Sequence, residues 1–416
     1  MSRHLAILAL LLTLFTSSVS AQIPVSGEAV EKLKPFDDMM LKFMAEHQVV
    51  GASLAIAKDG KLLYSRGFGY ADREKETAVQ PESLFRIASI SKPITAVAIL
   101  QLIERGKLKL SDRIVDVLAL QVPATPKGDP RWRDITIAHL LHHTAGFDRG
   151  KSFDPMFKAK EFAVEQGVLP PAGPREVIAC MLVRPLDFSP GQRMAYSNFG
   201  YCLLGRVIEK VSGQGYEAYV KEHLLQPAGI TQMRIGATRT TAANEVKYYD
   251  RASRRSANLF AGREGEPTEV GTPYGAWHLE AMDSHGGWIA SAQDLVKFAS
   301  IARGEKLGET VVLQRESIRK MFASPHENGA LTAPVQEPTS PVYYGCGWQV
   351  RVVSVKPARI NTWHNGGLAG SSTLLVRRHD GLDWAVLLNS DVAADGQWLS
   401  GKVDGLLHEA AGRVKW

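Results

Sequence analysis

The sequence predicts an α/β fold, specifically an α+β sandwich. One antiparallel sheet is assembled from both ends of the chain and flanked by helices, with a large, mostly helical insertion between its halves. Strand–turn–strand patterns near both termini, and a middle section written almost wholly in the helical period, are the observations behind this reading. There is no internal repeat and no low-complexity tract to suggest another architecture.

Phe36, Met39, Met40, Phe43 and Met44 fall at helical spacing, so an amphipathic helix is expected over 36–47. Residues 52–57 read as a strand, Asp59-Gly60 as a hairpin turn, and 62–68 as the returning strand. Helices are expected over 93–105, 136–143, 174–183, 198–212, 215–224 and 293–303, with Gly106 and Gly213 as C-caps. Residues 238–285 are rich in Gly, Thr and Arg and lack a period, which suits a cleft wall; with 325–342 they are expected to shape the pocket. Residues 348–355 and 372–378 read as strands, Asp380-Gly381 turns the chain, 384–389 pairs back, and 397–411 closes it as a helix. The implied division is a leader over 1–21, a sheet domain from 22–95 and 285–416, and a helical insertion over 96–284.

Lys+Arg 49 against Asp+Glu 43 gives a net charge of +6, and the charges are scattered. The densest basic group, Arg251, Arg254 and Arg255, reads as a solvated loop, so no nucleic-acid partner is expected. Arg3 and His4 precede an apolar run over 5–15 and the small-residue pattern Val19-Ser20-Ala21, which is a cleavable signal with Gln22 as the new N-terminus. A periplasmic or secreted protein follows, with no stable membrane insertion after cleavage; a retained anchor is the alternative. Cys180, Cys202 and Cys346 fit neither a zinc pattern nor a disulfide framework. They read as small buried hydrophobes, with Cys180 and Cys202 as the one candidate pair. Oligomeric state is not readable.

Three short motifs carry chemistry. In Ser89-Ile90-Ser91-Lys92, residues i and i+3 share a helix face, so Lys92 can reach the Ser89 hydroxyl. A buried amine near a helix N-terminus can lose its proton near neutrality and accept one from serine. An N-cap serine beside a surface lysine is the plainer reading of the same letters. In Tyr196-Ser197-Asn198, extended residues two apart point the same way, which puts a phenol and a carboxamide in one cleft, where they can relay a proton and orient substrate or lysine. The plainer reading has Asn198 capping the following helix and Tyr196 packing. His364-Asn365-Gly366-Gly367 stands just before the strand expected from about Ser372. Its glycines admit close backbone approach, and a backbone N–H there, with that of Ser89, can form an oxyanion hole. The alternative is a glycine-rich hairpin connection.

The order S-x-x-K, Y-x-N, H-x-G at 89, 196 and 364 resembles the serine β-lactamase and penicillin-binding superfamily. Within it, the match is to the class C-like branch, which includes family VIII esterases, D-aminopeptidases and DD-peptidases. The resemblance runs from about residue 36 to 410. Supporting stretches surround Phe85 to Lys92, Ile135 to Gly146, Tyr196 to Tyr201, Gly286-Gly287-Trp288 and Tyr344 to Trp348. It implies a β-lactamase/transpeptidase-like fold. Ser89 looks like the acylated nucleophile, Lys92 its proton acceptor, and Tyr196 the partner general base. Asn198 looks like a substrate-orienting group and Gly366 like the close-approach glycine. The backbones of Ser89 and Gly367 look like the oxyanion donors. No cofactor is implied.

One departure is chemical. The third motif of many such proteins starts with Lys, which holds a substrate carboxylate; here it starts with His364. Neutral imidazole holds a carboxylate less strongly, and its charge would switch at about pH 6–7. Ester or amide hydrolysis is therefore expected at least as much as β-lactam hydrolysis, on a small-molecule or peptide-like substrate. The alternative is a non-catalytic relative that binds peptidoglycan fragments or forms assemblies. His139, His142 and His143 have no H-E-x-x-H partner and imply no metal. The absence of G-x-S-x-G argues against an α/β-hydrolase.

Overall fold

The computed structural model describes residues 23–304, 311–332 and 341–416. The expected leader therefore lies outside the described residues, as does part of the 325–342 loop. Among the described residues, no helix is long and apolar enough to cross a membrane.

The strands Gly51–Lys58 and Lys61–Asp72 form the expected N-terminal hairpin, and Ser371–Arg377 and Leu382–Leu388 the C-terminal one. Leu382–Leu388 pairs with Gly51–Lys58, so the two ends of the chain meet at the middle of one antiparallel sheet. The order continues outward through Ala358–Leu368, Gln349–Val355 and Val342–Tyr344 on one side, and through Lys61–Asp72 and Val25–Ser26 on the other.

The central strands are apolar in nearly every position because both faces are covered. The period of two divides them between two cores. Leu54, Ile56, Trp384 and Val386 face helices Lys34–His47 and Leu399–Gly412, where Phe36, Met40, Phe43, Val403 and Leu407 complete one cluster. Ala55, Ala57, Ala385 and Leu387 face the opposite way, with helix Ala292–Ile301 against them, and join the larger core that extends into the helical insertion. The small alanines on that side let the helix lie close to the sheet. The expected boundary at 95/96 falls inside helix Ser91–Glu104, whose residues from Ser91 to Leu102 are all buried.

Two differences from expectation concern the site. Gln349–Val355 is followed by a strand, Ala358–Leu368, and His364 to Gly367 lie within it rather than in a connection ahead of the next strand. Asparagine and glycine disfavour strands, but packing on both faces overrides that preference here. A Cβ on Gly366 would fall within 3.0 Å of the Ile87 carbonyl oxygen and of Thr373 Oγ1, and one on Gly367 would lie 2.7 Å from the Trp398 ring. The close approach expected of Gly366 toward substrate is thus an approach to the protein's own backbone. Gly366→Ala should destabilise the fold by about 3 kcal/mol through overpacking. Urea denaturation checks this, and a loss below about 0.5 kcal/mol would contradict it.

The second difference is in residues 238–285, which hold two short strands, Arg255–Ala257 and Glu269–Gly271, and several helical turns. Trp277, Leu279 and Met282 from this stretch pack with Ala88 and Leu368, forming an apolar wall directly behind residue 89. Cys180, Cys202 and Cys346 are all buried free thiols, so the candidate pair does not form.

Candidate active site

Ser89 lies in the helical turn Ala88–Ile90, which runs straight into helix Ser91–Glu104. Three bonds fix the approach to it: Ile87 N donates to Trp288 O at 3.0 Å, Ser371 Oγ to Arg86 O at 2.8 Å, and Thr373 Oγ1 to Ile87 O at 3.1 Å. Ala88, immediately before the serine, has φ +46°, a left-handed conformation that is strained for a residue with a Cβ. From Ser83 to Leu102 every residue is buried except Ser89. The chain therefore presents one hydroxyl from an otherwise sealed segment.

Lys92 is 0% exposed. Its Nζ lies 3.2 Å from Ser89 Oγ, 2.8 Å from Asn198 Oδ1 and 2.8 Å from the His285 carbonyl oxygen. Burial pushes its pKa well below the ordinary lysine value; the charge of Asp154 opposes this and that of Arg149 assists it. An uncharged amine has two hydrogens and one lone pair. In that form the two carbonyl-type acceptors at 2.8 Å can take both hydrogens, which leaves the lone pair for the Ser89 hydroxyl. This is the arrangement a proton acceptor requires.

The Y-x-N segment comes to the same point. Ser197, not Asn198, caps helix Asn198–Ser212, its side chain accepting Gly200 N at 3.2 Å. Asn198 is thereby free to turn its amide inward. Its Oδ1 accepts from Lys92, and its Nδ2 donates to Asp154 Oδ2 at 2.6 Å, leaving one amide hydrogen for a ligand.

The Tyr196 ring lies 4.7 Å from Lys92 Nζ and 4.7 Å from the Arg149 guanidinium. Its hydroxyl is buried beside Ser89, without a partner of ordinary hydrogen-bond geometry among the described residues. Burial raises its pKa above the ordinary phenol range, against the lowering effects of Ser89 and Arg149. The phenol thus keeps its proton at neutral pH. Beside Lys92, whose burial favours the uncharged form, Tyr196 is a proton-bearing neighbour placed to relay.

His364 also departs from expectation. It is 2% exposed, and both ring nitrogens are engaged: Nε2 lies 2.9 Å from the Tyr344 hydroxyl and Nδ1 2.7 Å from the Asn365 carbonyl oxygen. The carbonyl requires a hydrogen on Nδ1, so Nε2 accepts from Tyr344. No N–H remains for a substrate carboxylate. Burial, reinforced by Lys92, pushes the pKa down to about 3, so the charge switch expected near pH 6–7 does not occur. Tyr344, which the sequence offered only as part of a similar stretch, is the residue that holds this imidazole.

The Ala88–Ile90 turn packs against strand Ala358–Leu368. Strand Gln349–Val355 pairs with it no further than Trp363, leaving residues 364–368 without a strand partner on that side among the described residues. Gly367 lies on this open stretch, the setting an oxyanion donor needs.

The three neighbouring histidines separate. His139 forms a capping box with Thr136. His142 lies between the Tyr344 carbonyl and Asn328, and His143 Nδ1 accepts Ser197 N at 3.2 Å. A cavity of about 260 Å³ opens beside Asn198 and Asp154, lined also by Phe147, Arg149, Phe153 and Met181.

The family model described as Beta-lactamase matches residues 36–398. The chain is 34% identical over 220 residues to esterase EstB of Burkholderia gladioli, covering 49% of this chain and 52% of that one. It is 30% identical over 257 residues to penicillin-binding protein 4 of Amycolatopsis lactamdurans, covering 61% and 59%. The chain spans 66% of the length of penicillin-binding protein 4* of Bacillus subtilis and 38% of that of protein flp of Staphylococcus aureus, so it covers only part of these relatives. In fold it is similar to the D-amino acid amidase of Ochrobactrum anthropi SV3, with a TM-score of 0.69 at 20% identity over 92% of this chain and 99% of that one.

Proposed function

The chain belongs to the beta-lactamase family, and from that premise we propose that it is a serine hydrolase that forms an acyl-enzyme on Ser89 and cleaves an ester or a peptide-like amide. The observation that carries this is the buried Lys92 amine, 3.2 Å from Ser89 Oγ and held by two carbonyl-type acceptors at 2.8 Å, where burial lowers its pKa and so favours the proton-accepting form. As Ser89 Oγ attacks the carbonyl carbon, Lys92 accepts its proton and negative charge develops on the carbonyl oxygen. The backbone N–H groups of Ser89 and Gly367 are assigned to that oxygen. When the bond to the leaving group breaks, the proton on Lys92 passes to it, with Tyr196 positioned to relay. Water then attacks the acyl-serine with the same amine as base.

The engaged, neutral His364 favours ester and amide substrates over β-lactams, whose carboxylate finds no cation at that position. The cavity beside Asn198 accepts the acyl group between Phe147, Phe153 and Met181. The names of two relatives, an esterase and a D-amino acid amidase, support the same two substrate classes. The apolar run at 5–15 with Val19-Ser20-Ala21 supports export, which sequencing of the mature N-terminus checks by finding Gln22 first.

A fluorophosphonate should add to the peptide containing Ser89, as read by mass spectrometry. A panel of p-nitrophenyl esters, D-amino-acid amides and nitrocefin should show turnover of the first two classes ahead of nitrocefin. An adduct elsewhere, or none, would end the proposal; nitrocefin as the preferred substrate would end the reading of His364.

A further inference from the structure

We infer that Asp154 is a positioning residue for this site: by accepting from Asn198 it fixes the carboxamide with its oxygen toward Lys92, and so keeps the lysine lone pair on Ser89. The inference rests on the proposed hydrolase reading.

A carboxamide can present either end to a neighbour, and the two choices have opposite consequences. With the oxygen toward Lys92, the amide absorbs one amine hydrogen. With the NH2 toward Lys92, the amine must accept, and its lone pair leaves Ser89. Lys92 alone does not decide between the two, since an amine can donate or accept. Asp154 does decide, because a carboxylate only accepts. Its Oδ2 lies 2.6 Å from Asn198 Nδ2, which forces the NH2 outward. Its Oδ1 accepts Met156 N at 3.2 Å as the N-cap of the turn Pro155–Phe157, and Arg149 stands 3.8 Å away, so the carboxylate is held from behind. The result is a directed chain from Arg149 through Asp154, Asn198 and Lys92 to Ser89.

Around Lys92 stand Tyr196 and Tyr201 from the 196–212 segment, His143, His285 and His364 from three others, and Arg149 and Asp154 from the 147–158 loop. Burial keeps the histidines neutral and the phenols protonated. Arg149 and Asp154 therefore carry the charge that acts on the amine, and Asp154 is the carboxylate that favours its protonated form.

The test follows the rate of Ser89 phosphonylation by a fluorophosphonate across pH, which requires no knowledge of the natural substrate. Asp154→Asn keeps the size of the side chain but offers a donor where a carboxylate stood. Asp154→Ser keeps a cap for the turn but does not reach Asn198. Both should react about tenfold more slowly while retaining the parent's thermal midpoint. In both, the acid limb should move to lower pH by about one unit, because loss of the carboxylate makes Lys92 easier to deprotonate. In an Asn198→Ala background the same substitutions should cost nothing further, since Asp154 acts through that amide. Additive losses, or an unmoved acid limb in a folded variant, would overturn the inference. Labelling of the unaltered chain is measured first: its absence at Ser89 defeats the hydrolase reading and the inference together, whereas labelling followed by additive losses defeats the inference alone.

Discussion

Lys92→Met should lower kcat/KM on a p-nitrophenyl ester by about 10⁴-fold while the protein remains folded, and Ser89→Ala should do at least as much. Methionine fills the same buried volume without a proton acceptor, so the loss reports the missing base rather than a cavity. Lys92→Arg sharpens the comparison. Arginine restores a positive charge and a long donor side chain, but it cannot be deprotonated in proteins. If the amine serves as a base, arginine is as inactive as methionine. If it serves as a cation steadying negative charge, arginine should retain much of the activity. The combined Ser89→Ala/Lys92→Met chain should be no worse than Ser89→Ala, because the two residues perform one step. A Lys92→Arg enzyme with more than about a tenth of the parent's activity would refute the assignment.

Acid should destabilise this protein well before its carboxylates are protonated. His142, His143, His285 and His364 are all 2% exposed or less, and burial holds each below the ordinary histidine value: His142 at about 4, His364 at about 3, and the other two well below. In the unfolded chain each binds a proton below about pH 6.5. Between that pH and the folded values the unfolded state binds more protons, so stability falls as pH falls, by about 1.4 kcal/mol per pH unit for each such histidine. Urea denaturation followed from pH 7 to pH 5 should show a loss of several kcal/mol. A free energy of unfolding that stays level over that range would contradict the neutral, buried state of these rings.

What the sequence disclosed and what it concealed divide along physical lines. Ser89 and Lys92 were legible because one helical turn fixes their relation, whatever surrounds them. Tyr196 and Asn198 were legible as a pair, but that Ser197 rather than Asn198 caps the helix depends on geometry that spacing does not specify. The central strands were legible because burial on both faces leaves 52–57 apolar at every position but Ser53. The strand Ala358–Leu368 was not, since Asn365, Gly366 and Gly367 speak against a strand, and only the facing Ile87 backbone and Trp398 ring explain why they are needed. Helix Ala159–Glu165 spans less than two turns and leaves too few positions for a period to show. His364 was misread for a related reason: its partner Tyr344 lies on a separate strand, and nothing local records that both ring nitrogens are engaged. Asp154 lies 44 residues before Asn198, and its sequence signal, an Asp-Pro at the start of a turn, accounts for one carboxylate oxygen and says nothing of the other.

If Ser89 and Lys92 act as proposed, the sealing of the segment around Ser89 governs how protons are accounted for in each cycle. Lys92 is fully buried; its hydrogen-bonding neighbours are the serine oxygen, an amide oxygen and a main-chain oxygen. On the proposed mechanism a proton lifted from the serine is stored out of reach of buffer, and its way out leads through the reacting atoms and the Tyr196 hydroxyl. The departing alcohol or amine becomes its natural recipient, so cleavage and proton return are tied together.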